Sequence, residues 1–312
     1  MSVHPKYLVI IAGPTAVGKT SVAIQLAKYF NTEIISADSR QIFKELNIGV
    51  ARPSEEELKE VKHHLIATKS IHEYFSAGEY EREVLALLDE LYKKNDLVIL
   101  CGGTGFYINA VLSGFDEIPI VDDNIRTSLN QQFQENGILS LQEQLKILDE
   151  KTYHSIDLQN TQRVIRALEI CIGTGKPFSD FKIQKEVRRN FIPIKIGLNL
   201  DKEILQERIN VRVDKMMRDG LLEEAQSLHA YQNLNALQTV GYKELFDLIN
   251  KKISLKEAIE LIKIHTRQYA KRQLTFFNKH PHYSWLHPND WNNSIPFIEN
   301  IIKKTKKNTQ SE

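Results

Sequence analysis

Apolar and polar positions follow two different patterns in the first part of the chain. Short, almost wholly apolar runs occupy 7–11, 33–37 and 96–100. Between them, the stretches 19–30 and 78–94 carry apolar residues at helical spacing. Apolar strands that alternate with helical crossovers predict an α/β protein with a parallel sheet covered by helices on both faces. Ligands of such sheets bind beyond the carboxyl ends of the strands.

The pattern changes after residue 121. Helical spacing alone fills the next part of the chain, at 124–136, 139–150 and 160–171. A strand pattern returns at 191–200, followed by helical patterns at about 202–218, 221–230, 241–249 and 254–279. We therefore predict a core formed by 1–121 and 187–312, with 122–186 as an inserted all-helical domain. The charged tail, 303–312, has no apolar periodicity and is expected to be disordered.

The stretch GPTAVGKT, residues 13–20, lies between the first apolar run and the first helix. It fits the pattern G-x-x-x-x-G-K-[ST], whose backbone N–H groups and helix N-terminus bind phosphate, with a lysine as point charge and a hydroxyl for Mg²⁺. The predicted phosphate-binding residues are Gly13, Pro14, Thr15, Ala16, Val17, Gly18, Lys19 and Thr20, with Thr20 as the Mg²⁺ ligand. This loop makes the predicted sheet P-loop NTPase-like; the alternative is an ordinary glycine-rich connection.

Two other strand ends carry polar groups, ADSRQ at 37–41 and CGGTG at 101–105. Asp38 is followed by amide and hydroxyl groups suited to a base edge or a sugar, and the glycines around Thr104 allow a substrate to approach closely. Asp38 could instead hold Mg²⁺ in a kinase or hydrolase, or cap the segment that follows it. Thr104 could be a simple turn residue. Nucleotide binding, including ATP, stays open at this point.

Composition limits the class of protein. The chain has 312 residues, 42% hydrophobic and 26% charged, which is typical of a globular protein with one large or two modest domains. Its two cysteines form no disulfide framework or zinc motif, and its apolar runs are too short for a secretory signal or a membrane span. We expect a cytoplasmic protein without membrane contact. A net charge of +1 argues against a generally basic nucleic-acid coat but allows a local basic surface.

Nine motifs follow one another across residues 10–277. They are GPTAVGKT, ISADSRQIF, IGVARP, HHLI, GGTGFYI, QRVIRALEI with TGKP, RVDKMMRDGLLEE, VGYKEL and TRQYAKRQLTFF. Their order resembles the tRNA dimethylallyltransferase (tRNA isopentenyltransferase) family, in the bacterial form without a zinc-finger extension. The chain departs from the family at Val50 and Arg52, where Thr and Lys are common, and at Phe276, where Trp is frequent.

The resemblance implies a prenyltransferase that moves the dimethylallyl group of dimethylallyl diphosphate to the N6 amine of adenine-37 in the anticodon loop of tRNA. The phosphate loop would then hold the diphosphate leaving group, with Mg²⁺ as cofactor. Asp38 would take the amine proton as general base, Thr104 would hydrogen-bond near the amine or the phosphate, and Arg212 would neutralise the diphosphate. We expect tRNA and dimethylallyl diphosphate as partners, and a monomer.

Reaching the amine requires the base to leave its stack, so the enzyme must grip the RNA. The expected tRNA contacts are Asp38, Ser39, Arg40, Gln41, Thr104, Arg126, Gln162, Arg163, Val164, Ile165, Arg166, Lys263, Arg267 and Lys271. The last three recur at every fourth position in a stretch without acidic residues, which is typical of a phosphate track but also of a solvated helix face. His63 and His64 are adjacent on a strand and are not expected to form a metal site.

Three other functions stay open from the residues. A small-molecule or nucleotide kinase would share the phosphate loop and the parallel sheet. A nucleotide-dependent RNA-binding switch would need no catalysis. Prenyl transfer to free adenine nucleotides would leave the helical insertion and the basic helix without a role.

Overall fold

The sheet is built from strands that all run parallel. The computed structural model describes residues 5–114, 119, 121–182, 187–280 and 282–309. Its strands are β1 (Tyr7–Ala12), β2 (Ile34–Ser36), β3 (His63–His64), β4 (Leu97–Gly102), β5 (Ile192–Leu198) and β6 (Ser284–Leu286). Their order is β3-β2-β4-β1-β5-β6, and every pairing is parallel. The α/β prediction is confirmed.

Helices connect the strands. They are α1 (Lys19–Phe30), α2 (Glu55–Glu60), α3 (Ala77–Leu91), α4 (Gly105–Ser113), α5 (Asp123–Leu148), α6 (Glu150–Ser155), α7 (Thr161–Thr174), α8 (Lys202–Arg218), α9 (Leu221–Leu228), α10 (Tyr242–Ile249), α11 (Leu255–Lys279) and α12 (Ser294–Thr309). Within the described part of the chain, none of these helices is long and apolar enough to cross a membrane.

The central strand β1 explains why the sheet is covered on both faces. All of its residues are buried, and successive side chains point to opposite faces. Leu8 and Ile10 belong to the cluster that contains α3 and α4, whereas Val9 and Ile11 pack with α1. A strand buried on both faces needs the continuous apolar run that the sequence shows.

The chain divides into two compact units, Met1–Ser113 with Arg188–Glu312, and Gly114–Val187. The predicted insertion, 122–186, falls inside the second unit. That unit has its own apolar cluster, formed by α5 and α7. Helix α5 is kinked at Gly137, which has a φ of 72°, between the two helical stretches expected there. In the first unit, Arg189 pairs with Glu81 and donates a hydrogen bond to the carbonyl of Ala110 at 2.9 Å.

Two features differ from the sequence-based expectation. The short edge strand β6 was not expected, since three residues show no period. The expected disorder of the tail is wrong for 303–309, because α12 continues through Thr309. This helix is anchored before its charged turns begin, since Ile298, Ile301 and Ile302 pack against the core. Residues 310–312 lie outside the described residues.

Candidate active site

The carboxyl ends of β1, β2 and β4 lie side by side at one edge of the sheet. The segments that follow these strands line a cavity of about 780 Å³. The cavity brings together these residues predicted from the sequence: Thr15, Ala16, Gly18, Lys19, Thr20, Asp38, Gln41 and Arg212. Residues far apart in the chain thus share one concave surface, as expected for an α/β sheet that binds ligands beyond its strand ends.

The phosphate loop has the backbone conformation that its glycines allow. Gly18 has a φ of 104°, in the left-handed region that favours glycine. At Gly13, a Cβ atom would approach the carbonyl oxygen of Leu198 to 2.6 Å. Gly18 is also the N-cap of α1 and supplies no side-chain cap. The first N–H groups of α1 are therefore available to an anion, which the helix dipole also favours.

Lys19 is a desolvated cation at the centre of this loop. Its Nζ donates a hydrogen bond to the carbonyl of Pro14 at 2.7 Å. The pKa of Lys19 is lowered to about 8, mainly because burial removes the solvation of its ammonium group; Cys101 and Asp38 act in the opposite direction, and Arg212 adds to the lowering. A bound anion would stabilise the charged form, because it would replace the solvation that burial removes.

Helix α8 presents three cations at the i, i+4, i+7 spacing seen in the sequence. Arg212 donates from Nη1 to Oγ1 of Thr15 at 3.3 Å, and Arg208 donates from Nη1 to the carbonyl of Val17 at 3.2 Å. Lys215 instead forms an exposed ion pair with Asp219 at 2.5 Å. Burial lowers the pKa of Arg212, as it does for Lys19. Two arginines of α8 therefore contact the phosphate loop, and one of them lines the cavity.

Asp38 uses one carboxylate oxygen to hold the turn after β2. Its Oδ1 accepts hydrogen bonds from the backbone N–H groups of Arg40 at 2.8 Å and Gln41 at 3.2 Å. The capping role that the sequence left open is therefore present. Within the described ranges, Oδ2 has no hydrogen-bond partner. One oxygen orients the carboxylate, and the other remains available to a substrate or a metal.

Thr104 connects two of the strand ends. Its Oγ1 accepts a hydrogen bond from the N–H of Ser39 at 3.0 Å and also bonds with the side chain of Tyr269. The neighbouring glycines lie so close to other groups that a larger residue would not fit. A Cβ atom on Gly102 would lie 2.1 Å from the carbonyl oxygen of Ala37, and one on Gly105 would lie 2.1 Å from the ring of Phe276. Thr104 is thus more than a turn residue, because it helps to fix the segment that carries Asp38.

Sequence reasoning missed Gln273, which joins the phosphate loop to the Thr104 segment. Its Oε1 accepts from the N–H of Thr15 at 2.8 Å, and its Nε2 donates to the carbonyl of Gly103 at 2.9 Å. The residue is only 7% exposed. A signal was present, since Gln273 takes an apolar position on α11 between the buried Ala270 and Phe277.

Three residues expected to contact tRNA have partners inside the core unit. The Nε2 of Gln41 donates to the carbonyls of Val50 and Ala51 at 3.2 and 3.0 Å. The Nη1 of Arg40 donates to the carbonyl of Asn235 at 2.8 Å. Ser39 is held by Thr104, as described above. Arg40 and Asp38 also line a second, smaller cavity of about 110 Å³.

The basic stretch of α11 does not form one free stripe. Lys263 pairs with Asp214 at 2.8 Å, with only 15% of its side chain exposed. Arg267 donates from Nη1 to Oδ1 of Asn210 at 3.0 Å. Both contacts hold α11 against α8. Lys271 is exposed and is the member of the predicted trio that solvent reaches freely.

In the second unit, a buried carboxylate organises the predicted cations. Oε2 of Glu169 accepts from Arg126 at 3.2 Å and from Arg166 at 3.1 Å, and Arg126 also donates to Gln162 at 3.0 Å. Arg163 is exposed.

Two neighbours on α7 correct the sequence-based assignment. Val164 and Ile165 are completely buried in the core of this unit, so their prediction as tRNA contacts is wrong. They belong to the apolar face of α7, which packs into the core of this unit.

The donor atoms at the main cavity fit Mg²⁺. Thr20 supplies a hydroxyl and Asp38 a carboxylate on the same surface, and Mg²⁺ in phosphate sites takes few protein ligands in addition to phosphate oxygens and waters. A site built from protein side chains alone is a different case: across the described residues, no group of three or more His, Cys, Asp or Glu could hold a metal. His63 contacts the carbonyl of Val61, and His64 pairs with Glu33.

A parallel sheet with a phosphate-loop sequence after β1 and an acidic group after β2 is the arrangement of a P-loop-like α/β protein. The family model described as IPP transferase matches residues 41–280. The chain belongs to this family. The resemblance inferred from the motifs is confirmed.

Relatives and solved structures agree with the family. The chain is 50% identical to the tRNA dimethylallyltransferase of Flavobacterium johnsoniae, over 96% of this chain and 99% of that protein. It is similar to the full-length tRNA isopentenylpyrophosphate transferase of Bacillus halodurans, with a TM-score of 0.72, 35% identity, and 97% and 98% of the two chains covered. It also matches a eukaryotic dimethylallyltransferase acting on tRNA, with a TM-score of 0.76, 27% identity, and 95% and 80% covered.

Proposed function

We propose that this chain transfers the dimethylallyl group of dimethylallyl diphosphate to the N6 amine of adenine-37 in the anticodon loop of tRNA, with release of diphosphate. One observation carries the proposal: a single cavity is lined by the cations Lys19 and Arg212 and by the carboxylate of Asp38. The names of the relatives support prenyl transfer over the kinase that a phosphate loop alone leaves open.

The diphosphate binds at the phosphate loop as a leaving group. Lys19, Arg212 and the N–H groups at the start of α1 stabilise the negative charge that develops as the C–O bond breaks. Their desolvation makes each of them more effective, because a charge interacts more strongly where water is excluded. Mg²⁺ would be held by Thr20 and would supply additional neutralisation of the diphosphate oxygens.

Asp38 acts on the other reactant. The adenine amine forms a bond to the allylic carbon, the carbon–oxygen bond breaks with its electron pair on the diphosphate, and the carboxylate accepts the amine proton. The hydrogen bonds to Oδ1 orient Asp38 for this step. Thr104 keeps the segment that carries Asp38 in place through its hydrogen bond with the N–H of Ser39.

The tRNA is gripped by polar groups in both units. In the second unit these are Arg126, Gln162, Arg163 and Arg166, and on α11 Lys271 is the exposed cation of the predicted trio. We propose that the enzyme acts as a monomer in the cytoplasm, where its two free cysteines, Cys101 and Cys171, would stay reduced.

Labelled dimethylallyl diphosphate tests this function directly. The protein is incubated with the label and Mg²⁺, and with either tRNA or AMP as acceptor. We expect label in tRNA alone, and no label in a control tRNA whose target purine lacks the N6 amine. Label in AMP, or phosphate transfer from ATP to a small acceptor in place of prenyl transfer, would contradict the proposal.

A further inference from the structure

Three aromatic rings lie together beside the Thr104 segment. Phe106, two residues after Thr104, is 57% exposed at the start of α4. Its ring centroid lies 5.8 Å from that of Phe276, which in turn lies 4.6 Å from that of His280. We call Phe106, Phe276 and His280 the aromatic patch. Large apolar side chains that are exposed next to a binding site often mark a contact surface.

The patch rests on a fixed base. Phe276 packs so closely on Gly105 that a Cβ there would clash, and its ring also meets the buried ring of Phe277 edge-on at 5.5 Å. Asn109 and His280 form a hydrogen bond of 3.2 Å. Burial lowers the pKa of His280, so its imidazole is neutral near pH 7. Phe106 therefore has one supported side and an exposed remainder.

The charge around the patch is positive. Arg272 and Lys279 are exposed on α11, four residues before and three residues after Phe276, which places them about one turn to either side of this ring. Neither 105–113 nor 261–280 contains Asp or Glu. Aromatic rings flanked by cations are the combination that binds single-stranded nucleic acid, through base stacking and phosphate contacts.

We propose that the aromatic patch stacks the base of a nucleotide adjacent to the target adenine, and that Arg272 and Lys279 contact the phosphates of that strand. The proposal rests on the proposed function. When the target base leaves the helical stack, its neighbours each lose a stacking partner. The ring of Phe106 replaces that partner, only two residues from the group that holds the Asp38 turn.

The test compares Phe106→Ala, Phe106→Leu and Phe106→Tyr with the wild-type protein. The substrates are anticodon stem-loop RNAs that carry 2-aminopurine on the 5′ or the 3′ side of the target adenine. We expect Phe106→Ala and Phe106→Leu to raise the KM for RNA about five- to a hundredfold, as for the loss of one stacked base, and to leave the KM for dimethylallyl diphosphate unchanged. The complex of Phe106→Ala should also be more fluorescent than the wild-type complex at one of the two positions, and Phe106→Tyr should behave like the wild type.

Tyr29→Ala is the matched control. Tyr29 is 53% exposed and lies in the last turn of α1, at the edge of the sheet away from the phosphate loop. The stacking proposal would be overturned if Phe106→Ala and Tyr29→Ala raised the KM for RNA equally. It would also be overturned if Phe106→Ala raised this KM without changing the 2-aminopurine fluorescence. Thermal unfolding verifies that Phe106→Ala is folded, and Phe106→Leu provides the same test if it is not. A wild-type protein that does not prenylate tRNA would instead contradict the proposed function, while the fluorescence still tests the patch.

Discussion

Helices α8 and α11 both carry cations at regular helical spacing, but these cations meet different surroundings. On α8, Arg208 and Arg212 face the phosphate loop and donate hydrogen bonds to a neutral carbonyl and a neutral hydroxyl there. On α11, Lys263 and Arg267 face α8 itself and find Asp214 and Asn210 there. The spacing determines which side chains share a face, whereas the opposite surface determines whether their charge is available to a ligand.

Cations with neutral partners and cations in ion pairs differ in the free energy they gain when an anion binds. A cation in a desolvated site whose hydrogen-bond partners are neutral gains most from an arriving anion, because it has no ion pair to give up. A cation that is already paired must give up its carboxylate before it can contact a phosphate. We therefore expect the α8 arginine in the cavity to affect catalysis strongly and the first two cations of α11 to affect mainly helix packing.

The variants Arg212→Gln and Arg267→Gln test the difference between α8 and α11 most directly. Arg212→Gln should lower kcat about a hundred- to a thousandfold, because it removes a desolvated charge opposite the leaving diphosphate. Arg267→Gln should change kcat by about threefold or less, since a glutamine can still bond Asn210. Single-turnover rates with labelled dimethylallyl diphosphate measure both. Equal losses would show that the two helices do not differ in the way proposed.

Asp38→Asn tests the role of the carboxylate in the same site. The amide keeps an oxygen that can accept the hydrogen bonds from Arg40 and Gln41, but it cannot take the amine proton. We expect single-turnover transfer to fall by about a hundredfold or more, with affinities for tRNA and diphosphate within a few-fold.

Titration with Mg²⁺ separates the roles of Asp38. Recovery at high Mg²⁺ would assign it to the metal site rather than to proton transfer. Lowered thermal stability with near-normal transfer would assign it to capping alone.

Gln273→Leu tests whether the link between the two strand-end segments is structural. The substitution leaves the N–H of Thr15 and the carbonyl of Gly103 without their partner, which costs about 1–3 kcal/mol of the free energy of unfolding. The matched control is Gln268→Leu, on an exposed position of the same helix, which should change stability by less than about 0.5 kcal/mol. Urea unfolding measures both, and equal stabilities would remove the proposed link.

The smallest effect is expected in the salt dependence of tRNA affinity, which we compare between the variants Lys271→Ala and Lys263→Ala. Log affinity for tRNA falls with log salt concentration, and a lost phosphate contact should reduce that slope by about 0.7–0.9. We expect this for the exposed Lys271 and no change in slope for the paired Lys263. A reduced slope for Lys263→Ala would mean that its ion pair with Asp214 opens when RNA binds.

Much of the fold could be predicted from the sequence because its signals are local. The bounds of α8 follow from its apolar period, and β1 follows from an uninterrupted apolar run. Lys19 was predicted from a motif of fixed spacing, and the structure places it in the lining of the main cavity.

The rest depends on contacts between distant parts of the chain. Gln273 takes an apolar position on α11, which indicates burial, but its partners lie 258 and 170 positions away along the chain, and no local pattern identifies them. Val164 and Ile165 were assigned with the motif that surrounds them, although their apolar side chains match the buried face of α7. The partners of Lys263 and Arg267 likewise lie on another helix, so their spacing could not show that they are occupied.

The hydrogen bond from Arg189 to Ala110 shows that the chain leaves the sheet-bearing unit and returns to it at nearly the same place. The unit Gly114–Val187 is thus an insertion whose two ends lie close together. Because the entropy of closing a loop grows slowly with its length, such an insertion can be lengthened, shortened or exchanged at little thermodynamic cost. Insertions, deletions or replacement by another domain are therefore expected to be tolerated in this segment, because they leave the connectivity of the sheet unchanged.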